Sequence, residues 1–423
     1  MDDWKTYVEN LGRNARLASR RLVDLGGSAK TALLHRIAAA IRDHRQDLIH
    51  ANAADIDAAS LAGLAPNLIE RLKLNEKRIA SMADAVDQIA AQVDPVGQII
   101  EGYTRPNGLR IQKVRAPIGV ILFIYESRPN VTSDAAALCL KSGNAIILRG
   151  GKEAVNSNKA IVQIIHAALI AEDCAIKDAV QLVESTDRAL VPTLLKLDQY
   201  IDLVIPRGGE SLIRAVVKDS TIPVLKHYTG NCHLYIDSHT RCSEKQVREI
   251  CVNAKTGYPG GAVCNAAEKI LFHKDIAALY LPVVCHDLAD KGVEILGDEP
   301  ARSLYPAAKA AAEDDWYTEY LALKIAVKVV PSLDAAIEHI NHFGSHHTDA
   351  IVTESLAAAD RFTRAVDSAS VMVNASTRFS DGGEYGLGAE VGISTDKLHA
   401  RGPMGAADLT TYKWIVTGNG HIR

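Results

Sequence analysis

Cys264 stands in the loop Gly257-Tyr258-Pro259-Gly260-Gly261-Ala262-Val263-Cys264-Asn265-Ala266, whose glycines leave the backbone pliant and whose amides, or a nearby helix terminus, could stabilise a thiolate. The thiolate is the nucleophilic form, so the chemistry on offer is covalent attack on a carbonyl. A small buried apolar side chain is the competing reading of the same residue. Two glycine turns carry cations: Arg149-Gly150-Gly151-Lys152-Glu153 and Pro206-Arg207-Gly208-Gly209-Glu210-Ser211. Each would let a phosphate or nucleotide approach the backbone at the start of a helix. Neither is a G-x-G-x-x-G or a Walker loop, and tight strand-to-helix turns alone would also call for such glycines. His339, His342 and His346 fall at i, i+3 and i+7, the spacing of imidazoles on one helix face. Gly344 interrupts that helix and no carboxylate or Cys completes the set, so no metal is expected. Cys232-His233 and Cys285-His286 cannot face each other as strand neighbours and read as structural.

These residues need a frame. Residues 1 to about 100 show apolar positions every three or four residues, as over Ala29 to Ile41, and predict a helical layer. Tyr103 to Val114 alternates polar and apolar around Asn107-Gly108, which predicts a hairpin reaching into solvent. From Ile118 onward, β-branched runs alternate with amphipathic stretches. Val120–Tyr125, Ala145–Arg149, Ala179–Val183 and Leu203–Ile205 read as strands, with helices near 133–141, 154–171, 188–197 and 210–218 between and after them. The alternation restarts at Leu234–Ile236 and continues through Lys269–Phe272, Ala326–Val330 and Ala350–Val352, with Tyr412–Val416 as a closing strand. The fold class is α/β: two doubly wound parallel-sheet domains plus a small β-hairpin element. In such sheets ligands lie beyond the carboxyl ends of the strands, where both glycine turns fall.

The composition fits an enzyme that works in solution: 423 residues, 48% hydrophobic and 23% charged, with 47 basic and 51 acidic side chains giving a net charge of −4. No basic field and no basic run interleaved with aromatics points to nucleic acid or anionic lipid. The longest apolar run, Ile118 to Tyr125, is a buried strand's length, far short of the roughly 18 residues of a membrane span. The N-terminus does not read as a secretory signal, and seven scattered cysteines without a C-x-x-C pair read as reduced thiols, so the cytoplasm is the expected location.

The longer motifs are more specific. Tyr125-Glu126-Ser127-Arg128-Pro129, Ser142-Gly143-Asn144, Ile201 to Gly208, Cys264-Asn265-Ala266, His347-Thr348-Asp349, Asn374 to Gly382 and Gly386 to Thr395 resemble the gamma-glutamyl phosphate reductase family of the aldehyde dehydrogenase superfamily over nearly the whole chain. Phe343 departs from the family signature, which carries His or Tyr before Gly344-Ser345. The resemblance implies an NADP-binding domain over 1–101 and 116–228, a catalytic domain over 229–375, and an oligomerisation hairpin with the C-terminal segment over 102–115 and 376–423. It implies NADPH-dependent reduction of L-glutamyl 5-phosphate to L-glutamate 5-semialdehyde and phosphate through a Cys264 thioester, in proline biosynthesis. The alternative is a hydrolysing NAD(P)-dependent aldehyde dehydrogenase of the same fold. Hydrolysing relatives carry a glutamate base upstream of the thiol, where Lys226 to Asn231 here puts His227. Lys152 takes the place of the acid that NAD-preferring relatives use on the ribose, and beside Arg149 it favours a 2′-phosphate. Glu319 resembles the glutamate that holds the nicotinamide ribose, its bland reading being an exposed helix-end carboxylate. Arg128, Arg378 and Arg401 are expected on the substrate's anions, or else in structural ion pairs. Asn265 would hold the oxyanion with the Cys264 amide, and Glu126 falls near the place of an oxyanion Asn in oxidising relatives. A homo-oligomer is implied, and a contact with the kinase that makes the labile substrate is conceivable on chemical grounds alone.

Overall fold

In the computed structural model, residues 2–226, 228–240 and 243–423 are described. Five helices, Asp2–Leu22, Gly27–Asp43, Arg45–Leu61, Pro66–Leu72 and Glu76–Ala91, form the expected helical layer. Its apolar stripe is the reason it packs: Leu33 and Leu34, then Ile37, then Ile41 follow one another at three- or four-residue steps, and all are buried in the first sheet's core.

Strands β1 (Ile99–Thr104) and β2 (Arg110–Pro117) form the hairpin, turning at Gly108, whose φ of +94° suits glycine. Next come β3 (Val120–Tyr125), β4 (Ala145–Arg149), β5 (Val180–Leu182) and β6 (Leu203–Arg207), a parallel sheet in the order β5-β4-β3-β6. Every residue of β3 is buried, as expected of a parallel strand covered on both faces. A second parallel sheet holds β7 (Cys232–Ile236), β8 (Ala267–His273), β9 (Glu294–Gly297), β10 (Lys309–Ala310), β11 (Lys324–Val330), β12 (Thr348–Val352) and β13 (Ser370–Val373), in the order β10-β9-β11-β8-β7-β12-β13. The short pair β14 (Ile393–Ser394) and β15 (Gly402–Pro403) follows, and then β16 (Thr410–Thr417), which pairs antiparallel with β2 along its whole length. Before β16, the tail packs Val391, Ala400, Met404 and Leu409 into the core of the first sheet.

The helix expected near 188–197 is shorter, Leu190–Leu194, with Pro192 accommodated in its first turn. A second difference concerns where the site lies. Both glycine turns do follow carboxyl ends, of β4 and β6, but Cys264 lies three residues before β8 and Gly230 two before β7. The thiol therefore sits at the amino edge of the second sheet, facing the carboxyl edge of the first.

Candidate active site

The Cys264 backbone is clasped from behind. Its carbonyl accepts the Cys232 thiol at 3.1 Å, and it lies so close to Gly230 that a Cβ there would stand 1.8 Å from the carbonyl oxygen. Only glycine fits at 230, for space rather than for φ. The Gly230 N–H donates to Glu319 Oε1 at 2.8 Å, which ties the carboxylate to the segment that packs on the Cys264 loop. Glu319 is thus no exposed helix end: it is half-buried beyond the helix Glu313–Tyr317, and burial pushes its pKa up to about 7. Burial likewise pushes the Cys264 thiol up to about 11; the Arg207 guanidinium pulls it down, while Glu390 and Glu319 add to the rise.

Below the thiol lies a buried polar layer. Lys255 Nζ and Glu268 Oε2 pair at 2.9 Å with both side chains fully buried. Lys269, bonded to the Thr318 carbonyl, is pulled down to about 7 by burial. Asp349 accepts the His233 N–H at 2.7 Å, and His347, held near a pKa of 4 by burial, is neutral beside Cys232 at 3.7 Å.

The structure revises several expectations. Both Nδ2 hydrogens of Asn265 go to carbonyls, of Ser380 at 2.9 Å and Arg378 at 3.3 Å, so this side chain holds the 376–380 turn and has no donor left for an oxyanion. Arg401 is a structural ion pair: it bonds the Asp367 carboxylate and carbonyl, each at 3.0 Å. Arg149 is committed to the carbonyls of Gly150 at 2.7 Å and Thr186 at 3.2 Å, so it shapes its turn. The glycines of that turn answer first to their own chain, because a Cβ at Gly150 would meet Asn158 at 2.3 Å and one at Gly151 would meet Ser127 at 2.7 Å. At Gly208 the obstacle is Glu126, 2.7 Å away, whose carboxylate also accepts the Gly209 N–H at 2.7 Å. That bond places Glu126 in the β6 turn. The three histidines diverge: His342 bonds the Tyr317 hydroxyl, His346 the Asp367 carbonyl, and His339 packs edge-on against Trp316 and His233 and tilted against Phe343. Among the described residues no group of three potential ligands could hold a metal. His227 lies outside the described residues.

Other expected residues do converge. A cleft of about 640 Å³ opens at the carboxyl edge of the first sheet, its polar lining made of the cations Arg128, Lys152, Arg71 and Arg188 and the carboxylates Glu126, Glu153 and Asp219, with Leu195 and Leu212 among its apolar walls. Such a cleft, apolar with a few convergent cations and an adjoining buried Arg149 Nε without a partner, fits a dinucleotide phosphate ester. Arg128 faces both the cleft and the thiol: burial lowers its pKa, Arg71 and Arg207 repel it, and Tyr258 and Cys264 act the other way. Arg378 sits over the Tyr258 ring at 5.6 Å with a buried, unpartnered Nη1. Sequence reasoning passed over Arg188 and Glu390. Only Glu390 had a signal, its place in the Gly386 to Thr395 motif.

An aldehyde dehydrogenase family model matches residues 4–291. A gamma-glutamyl phosphate reductase from Caldanaerobacter subterraneus is 50% identical over 98% of this chain and 99% of its own, and one from Rhodopirellula baltica is 50% identical over 100% and 96%. The chain belongs to the aldehyde dehydrogenase family, among the gamma-glutamyl phosphate reductases. The crystal structure of such a reductase from Thermotoga maritima, 45% identical, covers 98% of this chain and 99% of its own with a TM-score of 0.95. An acetylating aldehyde dehydrogenase from Geobacillus thermoglucosidasius, 17% identical with a TM-score of 0.69, shares the fold. Among the described residues no helix is long and apolar enough to cross a membrane.

Proposed function

We propose that the chain reduces L-glutamyl 5-phosphate to L-glutamate 5-semialdehyde, releasing phosphate, as an NADPH-dependent step of proline biosynthesis. The observation that carries this reading is one half-buried thiol, Cys264, whose electrostatic neighbours include Arg207 and the cleft-lining Arg128, with no glutamate in the adjoining 226–231 segment. Without that base, water is not the favoured acceptor for a thioester, so an acyl phosphate is the fitting partner.

In this reading the Cys264 sulfur loses its proton and bonds to the acyl carbon, while the carbon–oxygen bond to phosphate breaks and phosphate leaves with the electron pair. Glu319 and Glu390, the carboxyl groups whose charge reaches the thiol, are the acceptors at hand for that proton. NADPH, when bound, would supply a hydride to the thioester carbon; the carbon–sulfur bond then breaks, Cys264 leaves with the electron pair and is reprotonated, and the aldehyde is released. Backbone amides of the thiol loop hold the oxyanion, since Asn265 is otherwise engaged. Lys152 and Arg188 meet the 2′-phosphate at the cleft, Glu319 meets the nicotinamide ribose, and Arg128 and Arg378 meet the substrate's anions. The exposed faces of β1 and β16, with Tyr103, Trp414 and Val416 outward, support assembly of several copies.

The test is the reverse reaction with glutamate 5-semialdehyde and NADP⁺, following NADPH with and without inorganic phosphate. NADPH formation that requires phosphate supports the reading; equal rates without phosphate assign the chain to hydrolysis instead. Cys264→Ser should abolish turnover while NADPH binding persists.

A further inference from the structure

The Arg207 side chain does not line the cleft that Arg128 and Lys152 share. It lies against the C-terminal tail, where Gly392 makes room for it: a Cβ at 392 would come within 3.0 Å of Arg207 Nη1 and 3.2 Å of Cδ, and φ there is +152°. At that spot the guanidinium meets no carboxylate within 4 Å among the described residues. The groups its charge does reach are Cys264, Arg128, His347 and the carboxyls of Asp134 and Glu390. Burial holds Asp134 near a pKa of 7 and raises the Glu390 carboxyl as well, and among the described residues neither comes within ion-pair distance of Arg207. Register fixes the backbone: Arg207 is the last residue of β6, opposite Tyr125 of β3, and its carbonyl accepts the Glu126 N–H at 3.0 Å, two residues before Arg128.

Two guanidiniums that repel each other are thus held beside one thiol without an ion-pair partner. A mutually repelling pair on a folded framework is offset by an anion that both can reach. We propose that Arg207, with Arg128, forms the site for the phosphoryl group of the acyl phosphate, and so for free phosphate in reverse. The cofactor's phosphates are the other anions within reach of this region, and the test separates them. This assignment rests on the reductase reading and gives Arg207 to the substrate's phosphate instead of the cofactor. In the forward direction the phosphate oxygen that accepts the electron pair from the breaking carbon–oxygen bond gains two donors in a planar fork. In reverse the same fork orients a phosphate oxygen toward the thioester carbon, and the sulfur leaves with the electron pair.

Two measurements test it on Arg207→Gln and Arg207→Lys, with folding checked by circular dichroism and NADPH binding. In the reverse assay, Arg207→Gln should raise the KM for phosphate about 10- to 100-fold, the loss expected for a hydrogen bond to a charged group, with the KM for NADP⁺ within about two-fold of the parent. Arg207→Lys should fall between, since it restores the charge without the fork. An unchanged KM for phosphate, or a rise confined to NADP⁺, overturns the proposal and returns Arg207 to the cofactor. The second measurement needs no turnover: inorganic phosphate should protect Cys264 from alkylation by chloroacetamide in the parent and lose that effect in Arg207→Gln. Absent protection in the parent, or equal protection in the variant, also overturns it. Phosphate-independent turnover together with Arg207-dependent protection would sink the reductase reading and leave the anion site standing.

Discussion

The buried Lys255–Glu268 pair, 2.9 Å long and fully shielded from solvent, is a case in which an ion pair weakens the fold that contains it. Burial lowers the pKa of Lys255 and raises that of Glu268, in both cases against the partner's attraction, so desolvation outweighs the Coulomb gain on each side of the pair. Removing one partner leaves the other buried alone, and Lys255→Met or Glu268→Leu should each lose about 3–5 kcal/mol. Replacing both relieves about 1–4 kcal/mol of desolvation, while the Leu321 N–H, 3.3 Å from Glu268 Oε1, forfeits its acceptor at about 1–3 kcal/mol. The double variant should therefore lie within about 3 kcal/mol of the parent, and the double-mutant coupling should be at least about 3 kcal/mol. Urea unfolding followed by far-ultraviolet circular dichroism reads all four proteins. The pH dependence has a definite sign. A carboxyl raised in the folded state binds its proton more tightly there than when unfolded, so its contribution to stability falls as pH rises through the interval between the two pKa values. Glu268→Gln should flatten that part of the profile. Additive single losses, or single losses below about 1 kcal/mol, would refute the reasoning.

Gly230→Ala should abolish turnover, because a Cβ 1.8 Å from the Cys264 carbonyl must displace the nucleophile's loop; a chain that keeps most of its activity would show that the clasp is unimportant. Asn265→Ala should lower stability by about 2–4 kcal/mol, from two carbonyls left without a donor, and a thermal midpoint within a degree of the parent would count against that role. A thiol near a pKa of 11 is about one part in 10⁴ thiolate at pH 7, so alkylation of Cys264 in the free protein, read by peptide mass, should rise about ten-fold per pH step from 6 to 9. A plateau in that range would mean the thiolate is already formed.

The frame was legible because period carries the signal: Val120–Tyr125 is uniformly apolar, and Leu33 to Ile41 keeps a helical stripe. Cys264 stood out as a candidate from its loop and from the motifs around it. Three things were not. Asn265 lost its oxyanion role to carbonyls of Arg378 and Ser380, more than a hundred positions away, which no local pattern encodes. Arg401 and Arg378 look alike in sequence, yet one is neutralised by Asp367 and the other keeps a buried, unpartnered nitrogen. Spacing on one helix could not reveal that His339, His342 and His346 turn to three different neighbours, because Gly344 ends the helix between the second and third.

A thiol as weakly acidic as Cys264 is compatible with turnover once its neighbours are counted. Moving its proton to Glu319 crosses a gap of 11 − 7 = 4 in pKa, on the order of 5 kcal/mol. A turnover of about ten per second corresponds to a barrier near 16 kcal/mol, so roughly two-thirds of it remains for bond making and breaking after the proton has moved. The same arithmetic explains the guanidiniums in the proposed reaction. An acyl phosphate arriving beside Cys264 adds negative charge that, unopposed, would raise the thiol further; every increment is multiplied because the site is half-buried and poorly screened. Arg207 already lowers the thiol, and Arg128 stands close enough to be repelled by it, so phosphate can be received without undoing that effect. Losing either guanidinium should then do more harm with phosphate bound than without it, because only in the loaded site does the dianion need both.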